Sequence, residues 1–124
     1  MKLEDQVLSI DQVRELQELG FDVEKYASMC WIGVEDKYRL TIFDTWCLEK
    51  TCLGTIPTLT IGDIMDILPT FIKAHDRNYI LVVNNIAVSY SCNGLLTFSI
   101  EDFNLIDALF ETLKWCIKQK HIEL

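Results

Sequence analysis

Residues 79–99, YILVVNNIAVSYSCNGLLTFS, decide the fold of this chain. Their three apolar runs cover residues 79–83, 86–91 and 95–99. Asn93-Gly94 separates the last two runs, and Asn-Gly between apolar runs is the strongest short-range signal for a β-hairpin. Asn84-Asn85 separates the first two runs in the same manner. The stretch therefore predicts a three-stranded antiparallel meander.

Both faces of this predicted meander carry apolar side chains. Two-residue turns place the following residues on one face: Tyr79, Leu81, Val83, Ile86, Val88, Tyr90, Cys92 and Leu95. They place on the other face Ile80, Val82, Ala87, Leu96, Phe98 and Ile100. Either helices cover both faces, or another copy of the chain buries part of one, because so large an apolar patch is uncommon on a monomer. The pattern predicts a homo-oligomer unless the helices divide between the faces.

Three amphipathic segments predict helices. Their N-caps are Ser9, Thr60 and Asn104, each with a capping-box partner three residues later at Gln12, Asp63 and Asp107. Gly20 ends the first helix. Pro69 breaks the second, and we expect only a short turn after it. Asp63 and Asp66 belong to a stripe that we expect to face solvent.

An additional hairpin is predicted between the first two helices. Its strands are residues 29–34 and 38–44, and opposing Val34 with Tyr38 gives one uniformly apolar face. Residues 45–59 read as a long irregular connection. The order α-ββ-α-βββ-α predicts an α+β fold in which an antiparallel sheet of about five strands packs with helices. At 124 residues we expect a single domain over 1–124, with 1–8 as a flexible N-terminal segment.

The charge balance argues against several classes of partner. Nineteen acidic and eleven basic residues give a formal net charge of −8. Nucleic-acid binding needs clustered Lys and Arg, and this chain has no basic run, so we expect no nucleic-acid partner. The N-terminus lacks the apolar core of a signal peptide, and no apolar run is long enough to span a membrane. We expect a cytoplasmic protein with no membrane partner, whose five cysteines are free, mostly buried thiols.

Motifs for catalysis and for cofactors are missing from the sequence. Cys47 and Cys52 form one close pair, whereas structural zinc sites usually show two, and neither His75 nor His121 has a neighbouring ligand. There is no nucleophile elbow, phosphate loop or dinucleotide fingerprint. We expect no cofactor and no metal. The sequence does not decide whether the protein is an enzyme, although the missing motifs favour a non-enzymatic role.

Six residues are candidates for an interface or a pocket. They are Trp31, Asp44, Trp46, Cys47, Cys52 and Trp115. The tryptophans lie outside the predicted core stripes, and such marginal tryptophans are enriched in protein interfaces, although peripheral core is the commoner role. Asp44 ends a predicted strand beside Trp46 and Cys47. It either lines a pocket there or caps the loop through backbone N–H groups.

Three segments carry a resemblance to a known group of proteins. They are residues 46–49 (WCLE), 56–69 (IPTLTIGDIMDILP) and 105–117 (LIDALFETLKWCI). With them, residues 9–123 resemble small uncharacterised proteins encoded by prophages and mobile elements of gut anaerobic bacteria. The resemblance implies a phage-related cytoplasmic accessory protein, without catalytic residues to carry over.

Two functional hypotheses follow. The first is a non-catalytic, phage-like accessory protein that acts through protein–protein contacts as a homodimer or with another protein. The alternative is a small-molecule-binding or enzymatic domain with a pocket near the 44–57 loop. A ligand or metal that co-purifies with the protein would favour the alternative.

Overall fold

The structure is a computed structural model that describes residues 2–34, 37–43, 55–84, 87–101 and 104–124. Its helices are α1 (Ile10–Glu18), α2 (Val23–Tyr26), α3 (Ile61–Ile67) and α4 (Leu105–Lys118). Its strands are β1 (Met29–Val34), β2 (Lys37–Ile42), β3 (Thr55–Thr58), β4 (Phe71–Ala74), β5 (Arg77–Val83), β6 (Ala87–Cys92) and β7 (Leu95–Glu101). A short 3-10 helix covers Leu3–Gln6. Helices with antiparallel sheets confirm the α+β class.

The strands form two sheets instead of the predicted sheet of about five. In the described chain, one sheet has the order β2-β1-β3 and the other the order β4-β5-β6-β7. Two strands that the sequence did not predict, β3 and β4, raise the number of described strands from five to seven. β3 lies within the stretch expected to be irregular, where Pro57 is tolerated because β3 is an edge strand. β4 follows the Pro69 break, where only a turn was expected.

The chain divides into two compact units, residues 1–63 and 64–124, and the boundary lies within α3. In the first unit, Ser9 and Gln12 form the predicted capping box of α1. Gly20, with φ of 88°, ends this helix as predicted. Residues 1–8 were expected to be flexible, yet Val7 and Leu8 are buried, and the Leu8 amide donates to the Leu59 carbonyl at 3.0 Å.

The predicted register of the first hairpin is wrong by one residue. Val34 pairs with Lys37 rather than with Tyr38, because two residues separate the strands and not three. Trp31 therefore lies opposite Leu40, and Cys30 opposite Thr41. A one-residue slip moves every partner side chain to the other face of the sheet. One face of the hairpin consequently carries Met29, Trp31, Gly33, Tyr38, Leu40 and Ile42, whereas the other opposes Cys30 with Thr41 and Ile32 with Arg39.

In the second unit, the β6–β7 hairpin matches its prediction. Asn93 and Gly94 have φ of 50° and 83°, the left-handed values that a type I′ turn requires, and Cys92 pairs with Leu95. A β-bulge follows, because Ser91 pairs with Leu96 but Tyr90 pairs with Phe98. Thr97 is thus the extra residue on β7. The bulge exchanges the faces of all later β7 residues.

Candidate functional site

Helix α4 covers one face of the four-stranded sheet. Trp115 stacks on Phe98 of β7 at 4.7 Å between ring centroids and lies at 6.0 Å from the ring of Tyr90 on β6. Val88 and Tyr90 are completely buried. The inward side of α4 is apolar as its periodicity predicts, with Leu109, Leu113 and Cys116 buried. This face of the sheet is therefore core.

A chain of hydrogen bonds runs through this core. The Cys116 thiol lies 3.8 Å from the Tyr90 hydroxyl, which donates to the Pro69 carbonyl at 2.8 Å. Burial raises the pKa of Cys116 from 9.0 to about 11, although the bond to Tyr90 acts in the opposite direction. Burial also raises the pKa of Tyr90 well above its ordinary range, and Cys116 adds to the shift. Both groups are protonated at neutral pH, so Cys116 is an unreactive thiol there.

The opposite face of the same sheet carries exposed apolar side chains, and we call it the open face. Its residues, from the strand register, are Phe71, Lys73, Asn78, Ile80, Val82, Ala87, Ser89, Ser91, Leu96, Ser99 and Glu101. Phe71 is 58% exposed, Ile80 60%, Val82 44% and Leu96 58%. Apolar side chains on the face of a sheet are normally covered by another part of the protein. A patch on the order of 400 Å² lies within the range in which large patches are often functional.

The apolar side chains of the open face form a band across the strands. Phe71 lies opposite Ile80, Ile80 opposite Ser91, and Ser91 opposite Leu96. Val82 occupies the next row along β5 and lies opposite Ser89. The serines are short, so the larger apolar side chains stand above them. The row crosses all four strands, with Ser91 of β6 between Ile80 and Leu96, and its apolar side chains are accessible to another surface.

Two charged residues mark opposite corners of the open face. Lys73 lies on edge strand β4 opposite Asn78, and Glu101 lies on edge strand β7 opposite Ala87. Both side chains are exposed. Three strand spacings separate them by about 14 Å across the sheet, and six residues along β5 correspond to about 20 Å along the strands. The face is thus apolar in its middle, with one cation and one anion at diagonal corners.

Sequence patterning predicted part of the open face. Ile80, Val82, Ala87 and Leu96 lie on it as expected from alternation along the strands. The placement of Phe98 and Ile100 there was wrong, because the bulge at Thr97 turns both toward the covered face. Phe71 was missed with β4. Alternation over residues 71–74 was the available signal, but the β4–β5 turn lacks glycine.

The six candidate residues from the sequence are not all described. Asp44, Trp46, Cys47 and Cys52 lie outside the described residues. Trp31 is half-buried in the first unit, where its indole N–H donates to the Leu8 carbonyl at 3.0 Å. The Thr58 hydroxyl donates to the same carbonyl at 2.7 Å. Trp115 is half-buried in the second unit against Phe98, and its ring also lies 5.1 Å from that of His121. A hydrogen bond thus holds the ring of Trp31, and ring stacking holds that of Trp115.

Asp63 does not belong to a purely solvated stripe. Its Oδ2 accepts from the Thr60 amide at 3.0 Å, while the Asp63 amide donates to the Thr60 hydroxyl at 3.0 Å, which is the predicted capping box. The same Oδ2 accepts from the Ser28 amide at 3.2 Å and from the Ser28 hydroxyl at 2.6 Å. This carboxylate ties the start of α3 to the turn before β1. Asp66 is exposed as predicted.

Within the described ranges, no group of three or more His, Cys, Asp or Glu side chains is placed to hold a metal ion. None of the described helices has the length and apolar character needed to cross a membrane. Cys92 and Cys116 are free thiols, and Cys30 and Cys116 are buried. Comparison with protein families, with characterised proteins and with solved structures finds no match.

Proposed function

We propose that this protein is a non-catalytic, phage-related accessory protein of the cytoplasm that acts by contacting another protein through the open face. The observation that carries the contact is the exposure of Phe71, Ile80 and Leu96 in one row across the sheet. The phage-related part rests on the resemblance of residues 9–123 to small prophage-encoded proteins.

Physical chemistry supports a contact role for this face. Each large apolar side chain that moves from water into an interface stabilises the complex by about 1.5–3 kcal/mol when fully buried. The surrounding strand positions are small or polar, with Ser89, Ser91 and Ser99 between the apolar residues. An apolar centre with polar surroundings is the usual anatomy of a protein interface. The covered face of the same sheet already supplies the core, so folding does not require the open face to be apolar.

Carbene footprinting with peptide mass spectrometry tests this proposal. A photoactivated diazirine labels exposed side chains of the full chain, first in dilute purified protein and then in extract of the source organism. We expect labelling of Phe71, Ile80 and Leu96 to fall several-fold in extract. Leu3 and Met65 are exposed residues outside the open face, and their labelling serves as the internal control.

Two outcomes would contradict the proposal. One is equal labelling of the open face in dilute protein, in concentrated protein and in extract. The other comes from native mass spectrometry of the gently purified protein. Extra small-molecule mass that disappears on denaturation would instead support the ligand-binding alternative near residues 44–57.

A further inference from the structure

We infer that the protein contacted by the open face is a second copy of this chain, crossed so that Lys73 of each copy faces Glu101 of the other. The inference rests on the proposed function and names the partner at that same face. The charge pattern and the apolar band of the open face support it, and the area of the face sets how strongly two copies associate.

The charge pattern of the face is self-complementary. Lys73 and Glu101 are the two charged residues that the described strand register places on it. A two-fold axis between two such faces, perpendicular to the line joining Lys73 and Glu101, brings each lysine opposite the glutamate of the other copy. Axes along or across the strands leave each lysine opposite no acidic side chain of the face. Only the crossed arrangement forms ion pairs between these residues. It forms two identical pairs, because every contact of an isologous interface occurs twice.

The crossed arrangement also fits the apolar band. Rotation about this axis crosses the strands of the two copies at a steep angle, close to the orthogonal packing that sheets adopt face to face. Val82 lies close to the axis and meets its counterpart, while Ile80 lies opposite Ser89 of the second copy. Leu96 also lies close to the axis and meets its counterpart, while Phe71 lies over the small residues Ala87 and Ser89 of the second copy. Every large apolar side chain of the face is covered.

The area of the face sets the strength of the dimer. The strand register outlines a rectangle of about 14 by 20 Å. The plane of this rectangle is about 280 Å². Because side chains stand above it, the face buries on the order of 500 Å² per copy, less than the about 800 Å² per partner of a standard stable interface. We therefore expect a reversible dimer with a dissociation constant in the micromolar range.

Sedimentation equilibrium of the full chain at increasing concentrations tests the inference. We expect wild-type protein to pass from monomer to dimer, and I80K, which places a charge at the exposed centre, to stay monomeric. K73E and E101K each place like charges together at both ends of the interface and should weaken dimerisation about tenfold. The double variant K73E/E101K restores both pairs and should return to within about threefold of wild type. K37E and E18K, charge reversals outside the face, are the matched controls.

The possible failures are distinguishable. A wild-type protein that stays monomeric while the open face is protected in extract overturns the second copy but leaves the proposed function standing. A dimer that forms equally well in I80K overturns the inference and shows that another surface mediates it. A dimer that is lost in I80K but unaffected by K73E and E101K overturns the crossed arrangement. Circular dichroism spectra of all variants verify that each one is folded.

Discussion

The Tyr90 hydroxyl donates a 2.8 Å hydrogen bond to the carbonyl oxygen of Pro69, twenty-one residues earlier in the chain. Pro69 follows the end of α3, where the backbone leaves the helix and turns into β4. Backbone carbonyls near a helix end lack helical partners and need others. A completely buried side chain on β6 supplies one here, and so connects the helix break to the centre of the four-stranded sheet.

We predict that Y90F lowers the free energy of unfolding by about 1–2 kcal/mol, since a part-buried carbonyl loses its donor. The Cys116 thiol loses its partner in the same variant. Urea denaturation monitored by tryptophan fluorescence measures the effect. Y38F removes the hydroxyl of an exposed tyrosine and should change stability by less than about 0.5 kcal/mol. Equal stability of Y90F and wild type would show that the bond contributes nothing.

Asp63 offers a second test, on the opposite side of the α3 break. D63A removes the carboxylate that accepts from Thr60 and Ser28, and we expect it to lower the free energy of unfolding by about 1–3 kcal/mol. D66A makes the same change at an exposed position of the same helix and should be nearly neutral. Chemical denaturation of D63A and D66A in parallel measures the two changes in the free energy of unfolding. Equal effects would contradict a special role for Asp63.

The ends of α1 and α4 use the same turn with different residues. After α1, Gly20 donates to the Gln17 carbonyl and Phe21 to the Leu16 carbonyl, which is a Schellman motif. After α4, Lys120 and His121 make the corresponding bonds to Ile117 and Cys116. Lys120 has φ of 62°, a backbone region that glycine occupies without the strain of a Cβ.

Opposite substitutions at these two positions should therefore have opposite effects. We predict that K120G raises the free energy of unfolding by about 0.5–1 kcal/mol, because it relieves this strain. G20A should lower it by about 1 kcal/mol or more, because it introduces a Cβ at φ of 88°. Thermal denaturation by calorimetry compares both with wild type. A destabilised K120G would mean that the lysine side chain compensates for the strain.

The elements that the sequence predicted correctly carry strong local signals. The capping boxes at Ser9 and Thr60, the stop at Gly20 and the Asn93-Gly94 turn each depend on residues within a few positions of one another. Local hydrogen bonds and backbone preferences suffice to define them. The packed face of α4 was also predictable, because its 14 residues give the helical period room to show.

The predictions from sequence were wrong where the structure depends on a contact between residues far apart in the chain, or on a turn or bulge without a characteristic sequence. β3 is a strand because it pairs with β1, a contact between residues far apart in sequence that propensity does not reveal. The β4–β5 turn uses His75 and Asp76, both with positive φ, in place of glycine. The Thr97 bulge changed which residues face outward. Alternation along the strands consequently predicted part of the open face. The positions of Phe71, Lys73 and Glu101 on it depend on strand pairings that the sequence alone did not reveal.

Because Cys116 and Tyr90 are buried, the free energy of unfolding falls at alkaline pH. In the unfolded chain these groups ionise near 9.0 and 10.0, whereas in the folded chain burial raises the pKa of Cys116 to about 11 and that of Tyr90 higher still. Above pH 9 the unfolded state therefore releases protons that the folded state keeps. Their contribution to stability is complete below pH 9 and is lost as pH rises toward 11.

We predict that urea midpoints of the wild-type protein, constant from pH 7 to about 8.5, fall steadily between pH 9 and 10.5. The serine of C116S cannot ionise in this range, so the decline of this variant between pH 9 and 10.5 should be shallower than that of the wild type. C92S removes a thiol that is only half-buried and should follow the wild-type curve. Identical pH profiles for C116S and wild type would mean that the buried thiol is not the group responsible.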